Sequence, residues 1–206
     1  INIDLSKQGI DLLTFSSHKI HGPKGVGGLY ISKKIRLKPV LFGGGQETLL
    51  RAGTENVPGI CGFGLAAKMC HEKISENYNH VKILNERFRS KLSECSFASH
   101  VISGINSSPY ILNIAFPGLK SEVLLHHLEV RGIFISTGSA CSSRKAKRSH
   151  VLTAMGLENR ILDSAVRFSF SADNTEEDID DTINALREIV PVITVRKKGR
   201  LGASDI

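Results

Sequence analysis

No apolar run in this chain approaches the roughly 18 residues that a membrane-crossing helix needs, so no membrane span is expected. Cysteine is sparse. The four residues Cys61, Cys70, Cys95 and Cys141 are far apart and form no Cys-x-x-Cys pair. That spacing argues against a zinc site and against a disulfide framework, so no metal site is expected. A reducing, cytoplasmic setting is the matching expectation. The chain shows no internal repeat and no signal peptide, and it opens on Ile1 rather than methionine. That opening leads us to expect further chain upstream. A recognition motif for nucleic acid is also missing, so the excess of 27 basic over 20 acidic side chains, a formal +7, points to acidic partners rather than nucleic acid.

What is present fits an α/β protein. The 206 residues are 41% hydrophobic, enough for a core. Residues 11–15 and 26–32 read as short buried strands. A glycine-rich loop, 43–56, precedes a small-residue helix at 57–70. Residues 73–94 give the clearest helix, with Ile74, Tyr78, Val81, Leu84, Phe88 and Leu92 on one face. Strands follow at 110–116, 133–137 and 165–171. A helix from Ser121, its expected N-cap, ends before Gly132, and a short helix covers 150–157. The last helix has Thr175 as N-cap, acidic residues in its first turn and Ile179, Ile183, Leu186 and Ile189 on its core face. Residues 73–192 thus read as a self-contained α/β domain, whereas residues 1–72 hold too few strands to close a sheet. Residues 193–206 read as a disordered basic tail.

Several side chains suggest chemistry. Lys19 follows an apolar run in 'DLLTFSSHKIHGPKGVGGLYIS'. At a buried strand end a lysine becomes a usable amine nucleophile for a Schiff base; at a plain turn it is a solvated side chain, as Lys24 is expected to be. Adjacent His18 suits a proton shuttle, a cofactor contact or a satisfied core position. His126 and His127 are helix neighbours that cannot face one ligand, so both read as packing or surface residues. Thr54, at a glycine-rich turn before a helix, suits an anion such as phosphate, or simply a turn or cap. Cys141 lies in a small-residue loop ahead of Arg144, Lys145, Lys147 and Arg148, where nearby cations favour a thiolate. Those four charges either hold the thiolate or, as we expect, steer an acidic partner. Arg167 interrupts an apolar strand and pairs either with a structural carboxylate or with that of a substrate.

The segments 'FSSHKIHGPKGVGGLYI', 'GGGQETLLRAGTENV', 'ISTGSACSS' and 'AVRFSFS' occur together and in order. Through them the chain, from near residue 1 to about residue 190, resembles the cysteine desulfurases of the NifS and IscS type, within the class V aminotransferase superfamily. The resemblance implies a PLP-dependent type I aminotransferase fold. Residues 1–72 would be the C-terminal part of the cofactor-binding large domain and residues 73–192 the small C-terminal domain. It implies pyridoxal 5′-phosphate as cofactor, with Lys19 bonded to it covalently and Ser16 and His18 on its phosphate. Thr54 would reach the phosphate of a neighbouring subunit in a homodimer. Arg167 would hold the carboxylate of the substrate, L-cysteine. Cys141 would take the sulfur as a persulfide, leaving L-alanine, and pass it to an acceptor protein for iron–sulfur cluster assembly or for thiolation of tRNA or cofactors.

The chain also departs from that pattern. Ala52 replaces the serine usual in 'RAGT'. The family's other cofactor contacts, the aspartate at the pyridine nitrogen and the histidine stacked on the ring, lie upstream of the lysine, and no position before Lys19 can carry them. The chain therefore reads as a C-terminal half, inactive alone. A related selenocysteine lyase and a non-catalytic, acceptor-docking module are the alternative expectations.

Overall fold

The structure, a computed structural model, describes residues 3–5, 7–137 and 148–198. It divides into two compact units, Ile1–Glu76 and Asn77–Ile206.

In the first unit, β1 (Leu12–Ser16) pairs antiparallel with β2 (Gly27–Ile31). Phe15 stands opposite Gly28, where a Cβ would meet the Phe15 ring at 2.3 Å, so only glycine lets the ring lie across the ladder. The ring also meets Phe63 at 5.9 Å between centroids. Phe63 belongs to α1 (Val57–Glu72), whose first turn is capped by Asn56 Oδ1 accepting from Gly59 N at 3.1 Å. The two strands form as read, but they are not buried. Leu12 is 47% exposed, Phe15 45% and Leu29 48%. The reason is cover: α1 packs chiefly on the turn after β1, and a ladder of two strands leaves its faces open.

In the second unit, α2 (Ile74–Ser93, entering from the first) leads to a four-stranded sheet. Its strands are β3 (His100–Val101), β4 (Ile111–Ala115), β5 (Ser136–Thr137) and β6 (Ala165–Ser169), ordered β3-β4-β6-β5, with every pairing antiparallel. Period-two burial sends Leu112 and Ile114 of β4 and Val166 and Phe168 of β6 to one face. There they meet α2, α3 (Ser121–Glu129) and α6 (Glu176–Lys198) in one core. Phe88 of α2 is its centre, 4.8 Å from the Phe168 ring and 5.9 Å from that of Phe170. Of the helix face read from the sequence, Val81, Leu84, Phe88 and Leu92 are buried, while Ile74 and Tyr78 are half-buried. On the opposite sheet face, Ala115 and Ala165 pack against Leu152 of α4 (His150–Ala154) and Ile161 of α5 (Asn159–Leu162).

Most element limits follow the sequence pattern, with several differences, among them the two-residue β3, which is too short to read from the pattern. Lys120, not Ser121, precedes α3 as its cap; the Ser121 N–H instead donates to Asp163 O at 3.1 Å. The 133–137 run pairs only over β5, where β6 offers a partner. The four-residue α5 carries too little periodicity to be read in advance. Finally, α6 continues to Lys198, so residues 193–198 are helical rather than tail. Ile193 extends the Ile189 face by one turn and is buried at 8% exposure, and Thr194 Oγ1 donates to Val190 O at 2.7 Å. The start of α6 matches its reading: Thr175 Oγ1 accepts from Asp178 N at 3.2 Å, and Asp178 Oδ2 accepts from Thr175 N at 2.9 Å. Those bonds hold the Asp178 carboxyl below the usual carboxylate range. Among the described residues no helix is long and apolar enough to cross a membrane, and no His/Cys/Asp/Glu cluster could hold a metal.

Candidate functional site

The end of β1 turns directly into a 3₁₀ turn, Ser17–Ile20, which carries His18 and Lys19. Ser16, His18 and Lys19 are all exposed, so Lys19 stands on a turn and not at a dry strand end. It lines a hollow of about 480 Å³ together with Phe15, Ser16, Ile20 and Phe63. No ion pair or hydrogen bond engages the Lys19 amine among the described residues. Between these exposed groups, Ser17 is wholly buried and its Oγ has no hydrogen-bond partner among the described residues. An orphan hydroxyl of that kind costs about 1–3 kcal/mol. Composition and spacing gave no sign of it.

Thr54 is exposed in the loop before α1. It does not cap the helix, since Asn56 does so. The loop is braced by Gln46, whose Oε1 accepts from Gly53 N at 3.2 Å. It contains an unusual turn: Glu47, Thr48 and Leu49 all have left-handed φ, at 48°, 57° and 66°. Each such non-glycine residue is strained by roughly 1–3 kcal/mol, and strain of this kind gathers at functional segments. Neither Gln46 nor the left-handed turn stood out in the sequence.

In the second unit, Arg167 lies on the open part of the sheet face that α4 and α5 cover around Ala115 and Ala165. The register sets it between Asn113 of β4 and Ser136 of β5. Arg167 Nη2 donates to Ser136 Oγ at 3.3 Å, and no carboxylate meets the guanidinium among the described residues.

Cys141, Arg144, Lys145 and Lys147 lie outside the described residues. Arg148 is described, and it is engaged: Nε and Nη2 donate to Asp163 Oδ1 and Oδ2 at 2.7 and 2.9 Å, and Nη1 to Asn159 Oδ1 at 2.6 Å. The pair holds the Asp163 carboxyl below its ordinary range. Arg148 thus fastens the turn before α4 to α5 through a bidentate carboxylate pair. His126 and His127 are exposed, the former 3.3 Å from Glu129 Oε2.

With this geometry in hand, comparison with known proteins gives a consistent answer. The profile described as "Aminotransferase class-V" matches residues 1–182. A protein named cysteine desulfurase from Gluconacetobacter diazotrophicus is 40% identical over 191 residues, 92% of this chain and 48% of that protein. The cysteine desulfurase IscS of Methanosarcina thermophila is 39% identical over 193 residues, 92% of this chain and 47% of that protein. The X-ray structure of a NifS-like protein from Rickettsia africae superposes with a TM-score of 0.82 at 36% identity, covering 92% of this chain and 50% of that one. The chain spans about half the length of the relatives it matches, and its fold is that of the matching half of NifS-like proteins. On the profile match and these identities, the chain belongs to the class V aminotransferase family.

Proposed function

We propose that the protein carrying this chain is a pyridoxal-phosphate-dependent cysteine desulfurase, converting L-cysteine to L-alanine and holding the released sulfur as a persulfide on Cys141. The observation that carries the reading is Lys19: an amine with no partner among the described residues, on a short turn beside a hydroxyl and an imidazole, lining a hollow of about 480 Å³ in a chain of this family. The residues present fit the cofactor. The hollow lies within the roughly 300–1,000 Å³ usual for small-molecule sites. An apolar wall of Phe15, Ile20 and Phe63 suits a ring, and Ser16 in the same lining suits a phosphate, with His18 on the adjoining turn. In this reading residues 1–72 belong to a larger cofactor-binding domain and residues 73–192 form the small domain.

When bound, pyridoxal phosphate draws electrons from the amino acid it carries and so weakens the bonds around that amino acid's α- and β-carbons. Lys19 is the residue that would hold the cofactor covalently, and its amine is a group able to move a proton. Ser16 and His18 donate to the phosphate, and Thr54 donates to that of a second subunit in a homodimer. Arg167 offers two parallel N–H donors to the substrate carboxylate, because Ser136 takes only one of the two Nη2 hydrogens and leaves the other to act beside Nη1 or Nε. The Cys141 thiolate attacks the substrate sulfur. A sulfur–sulfur bond forms, the carbon–sulfur bond breaks, and the carbon left behind takes up a proton to become the methyl of alanine. The persulfide then passes to an acceptor protein with a free thiol.

The test is turnover of L-cysteine by the full-length protein loaded with pyridoxal phosphate, with an excess of a thiol reductant that releases the persulfide sulfur as sulfide. Alanine and sulfide in equal amounts, with no release of pyruvate, are expected. Loss of sulfide with retained amino-group transfer to a keto acid would assign the protein to another activity in the family.

A further inference from the structure

The buried Ser17 has no place in the chemistry above, yet it opens the turn that carries His18 and Lys19. Its backbone ties the turn together. Ser17 N donates to Val26 O at 3.1 Å, which fixes the turn to the chain entering β2. Ser17 O accepts from Gly22 N at 3.0 Å and from His21 N. His21 closes the turn with a left-handed φ of 64°, a conformation a non-glycine residue holds only where its surroundings impose it. Gly22 is the surrounding that matters most. Its own φ is not left-handed, so backbone freedom is not why glycine stands there. The reason is space. A Cβ at Gly22 would lie 2.1 Å from Ser17 Oγ, 3.1 Å from Ala66 Cβ and 3.2 Å from Ser17 O. The missing side chain is the slot in which the orphan Ser17 hydroxyl lies, between the turn and α1.

We propose that Gly22 is a positioning residue for Lys19: by leaving this slot it lets the turn Ser17–Ile20 sit down on Ala66 of α1, and so sets the point from which the Lys19 amine enters the hollow. The inference rests on the reading of Lys19 as the cofactor lysine. A methyl at Gly22 strikes the Ser17 hydroxyl, which is wholly buried and cannot swing into solvent, and it sits tightly, at 3.1 and 3.2 Å, on Ala66 Cβ and Ser17 O. The turn must lift from α1, and it carries His18 and Lys19 with it. Lys19 and Ile20 line the hollow with Phe63 and Ala67, the latter beside Ala66 in α1, so a lifted turn opens the wall that the amine works from. Reactions of this kind lose large factors when a reacting group is misplaced by about 1 Å.

The experiment uses the full-length protein in four forms: wild type, Lys19→Ala, Gly22→Ala and the double variant Ser17→Gly with Gly22→Ala. Each is titrated with pyridoxal phosphate by visible absorbance. Amide exchange over residues 17–22 is measured in the cofactor-free protein. Gly22→Ala is expected to weaken cofactor binding at least tenfold and to speed exchange across the turn, with exchange in β4 and β6 unchanged. The double variant removes the side chain that the new methyl strikes, and it is expected to recover most of both losses. Wild-type cofactor affinity in Gly22→Ala, or a folded double variant that recovers nothing, would overturn the proposal. If Gly22→Ala does not fold, the double variant alone decides, by the same two readouts. Unchanged absorbance in Lys19→Ala would instead overturn the reading of Lys19 itself, and that outcome is separate from the behaviour of Gly22.

Discussion

Arg167 and Ser136 face each other across neighbouring antiparallel strands, with Nη2 of the one 3.3 Å from Oγ of the other. The serine orients the guanidinium without neutralising it. In the full-length protein, Arg167→Ala is therefore expected to raise KM for L-cysteine about ten- to a hundredfold, the equivalent of losing hydrogen bonds to a charged group worth roughly 1.5–3 kcal/mol. Cofactor affinity should stay near the wild-type value. Steady-state kinetics beside a cofactor titration check this; an unchanged KM would remove Arg167 from the substrate site.

Asp180 of α6 is gripped by α2. Arg87 Nε and Nη2 reach its two oxygens at 2.9 and 2.7 Å, and Lys91 Nζ lies 2.8 Å away. The Arg87 hydrogen bonds first, and the Lys91 bond second, hold the carboxyl far below the usual range. The unfolded chain therefore binds the Asp180 proton more readily than the folded one does. The stabilisation is complete above the unfolded value of about 3.9 and fades as pH falls below it. Asp180→Asn should lower Tm at neutral pH, and the gap to wild type should begin to narrow below about pH 4 and go on narrowing as the acid strengthens. A gap that widens in acid would contradict the assignment.

The basic residues near Cys141 divide into two kinds. Neutralising Arg144, Lys145 and Lys147 in the full-length protein is expected to slow sulfur transfer to an acidic acceptor. The effect should be strongest at low salt, because such charges are screened beyond about 10 Å at 0.1 M. The first turnover to alanine should change little. Arg148→Ala should instead lower Tm through loss of the Asp163 clamp and leave transfer as it was. A salt series of transfer rates decides, and a transfer defect from Arg148→Ala at unchanged Tm would reverse the division.

The two units should differ in local stability. Phe88 is 1% exposed at the centre of the second core, and Phe88→Ala is expected to cost about 3–5 kcal/mol there. Phe15 is 45% exposed, so Phe15→Ala should cost much less. Hydrogen exchange on the 206-residue chain should show the amides of β4, β6 and α6 protected at least tenfold more than those of β1 and β2. Equal protection in the two regions would contradict this.

What the sequence disclosed depends on how local its cause is. The faces of α2 and α6 were legible because helical periodicity repeats over several turns, and the Thr175 cap because its partner Asp178 is three residues on. The exposure of β1 and β2 was not legible, since an apolar strand reads the same whether or not another layer covers it. The Arg148–Asp163 clamp joins positions that are distant in sequence, so Arg148 read as one more loop charge. The left-handed turn at Glu47–Leu49 uses no glycine at those positions, and glycine is the only local signal for it. Ser16, His18, Lys19 and Arg167 were picked out by their residue types within family-like motifs. Ser17 and Gly22 were not, because an empty slot leaves no mark in composition.

The central claim is that sulfur leaves L-cysteine onto Cys141 at a site built around Lys19. The most direct measurement is a single turnover of the full-length, cofactor-loaded protein with ³⁵S-labelled L-cysteine, followed by peptide mapping under non-reducing conditions. Wild type should carry the label on the Cys141 peptide with one equivalent of alanine formed. Cys141→Ser should bind cofactor and substrate but carry no label, and Lys19→Ala should form no alanine. Label on Cys61, Cys70 or Cys95, or undiminished alanine and sulfide from Cys141→Ser, would contradict the account.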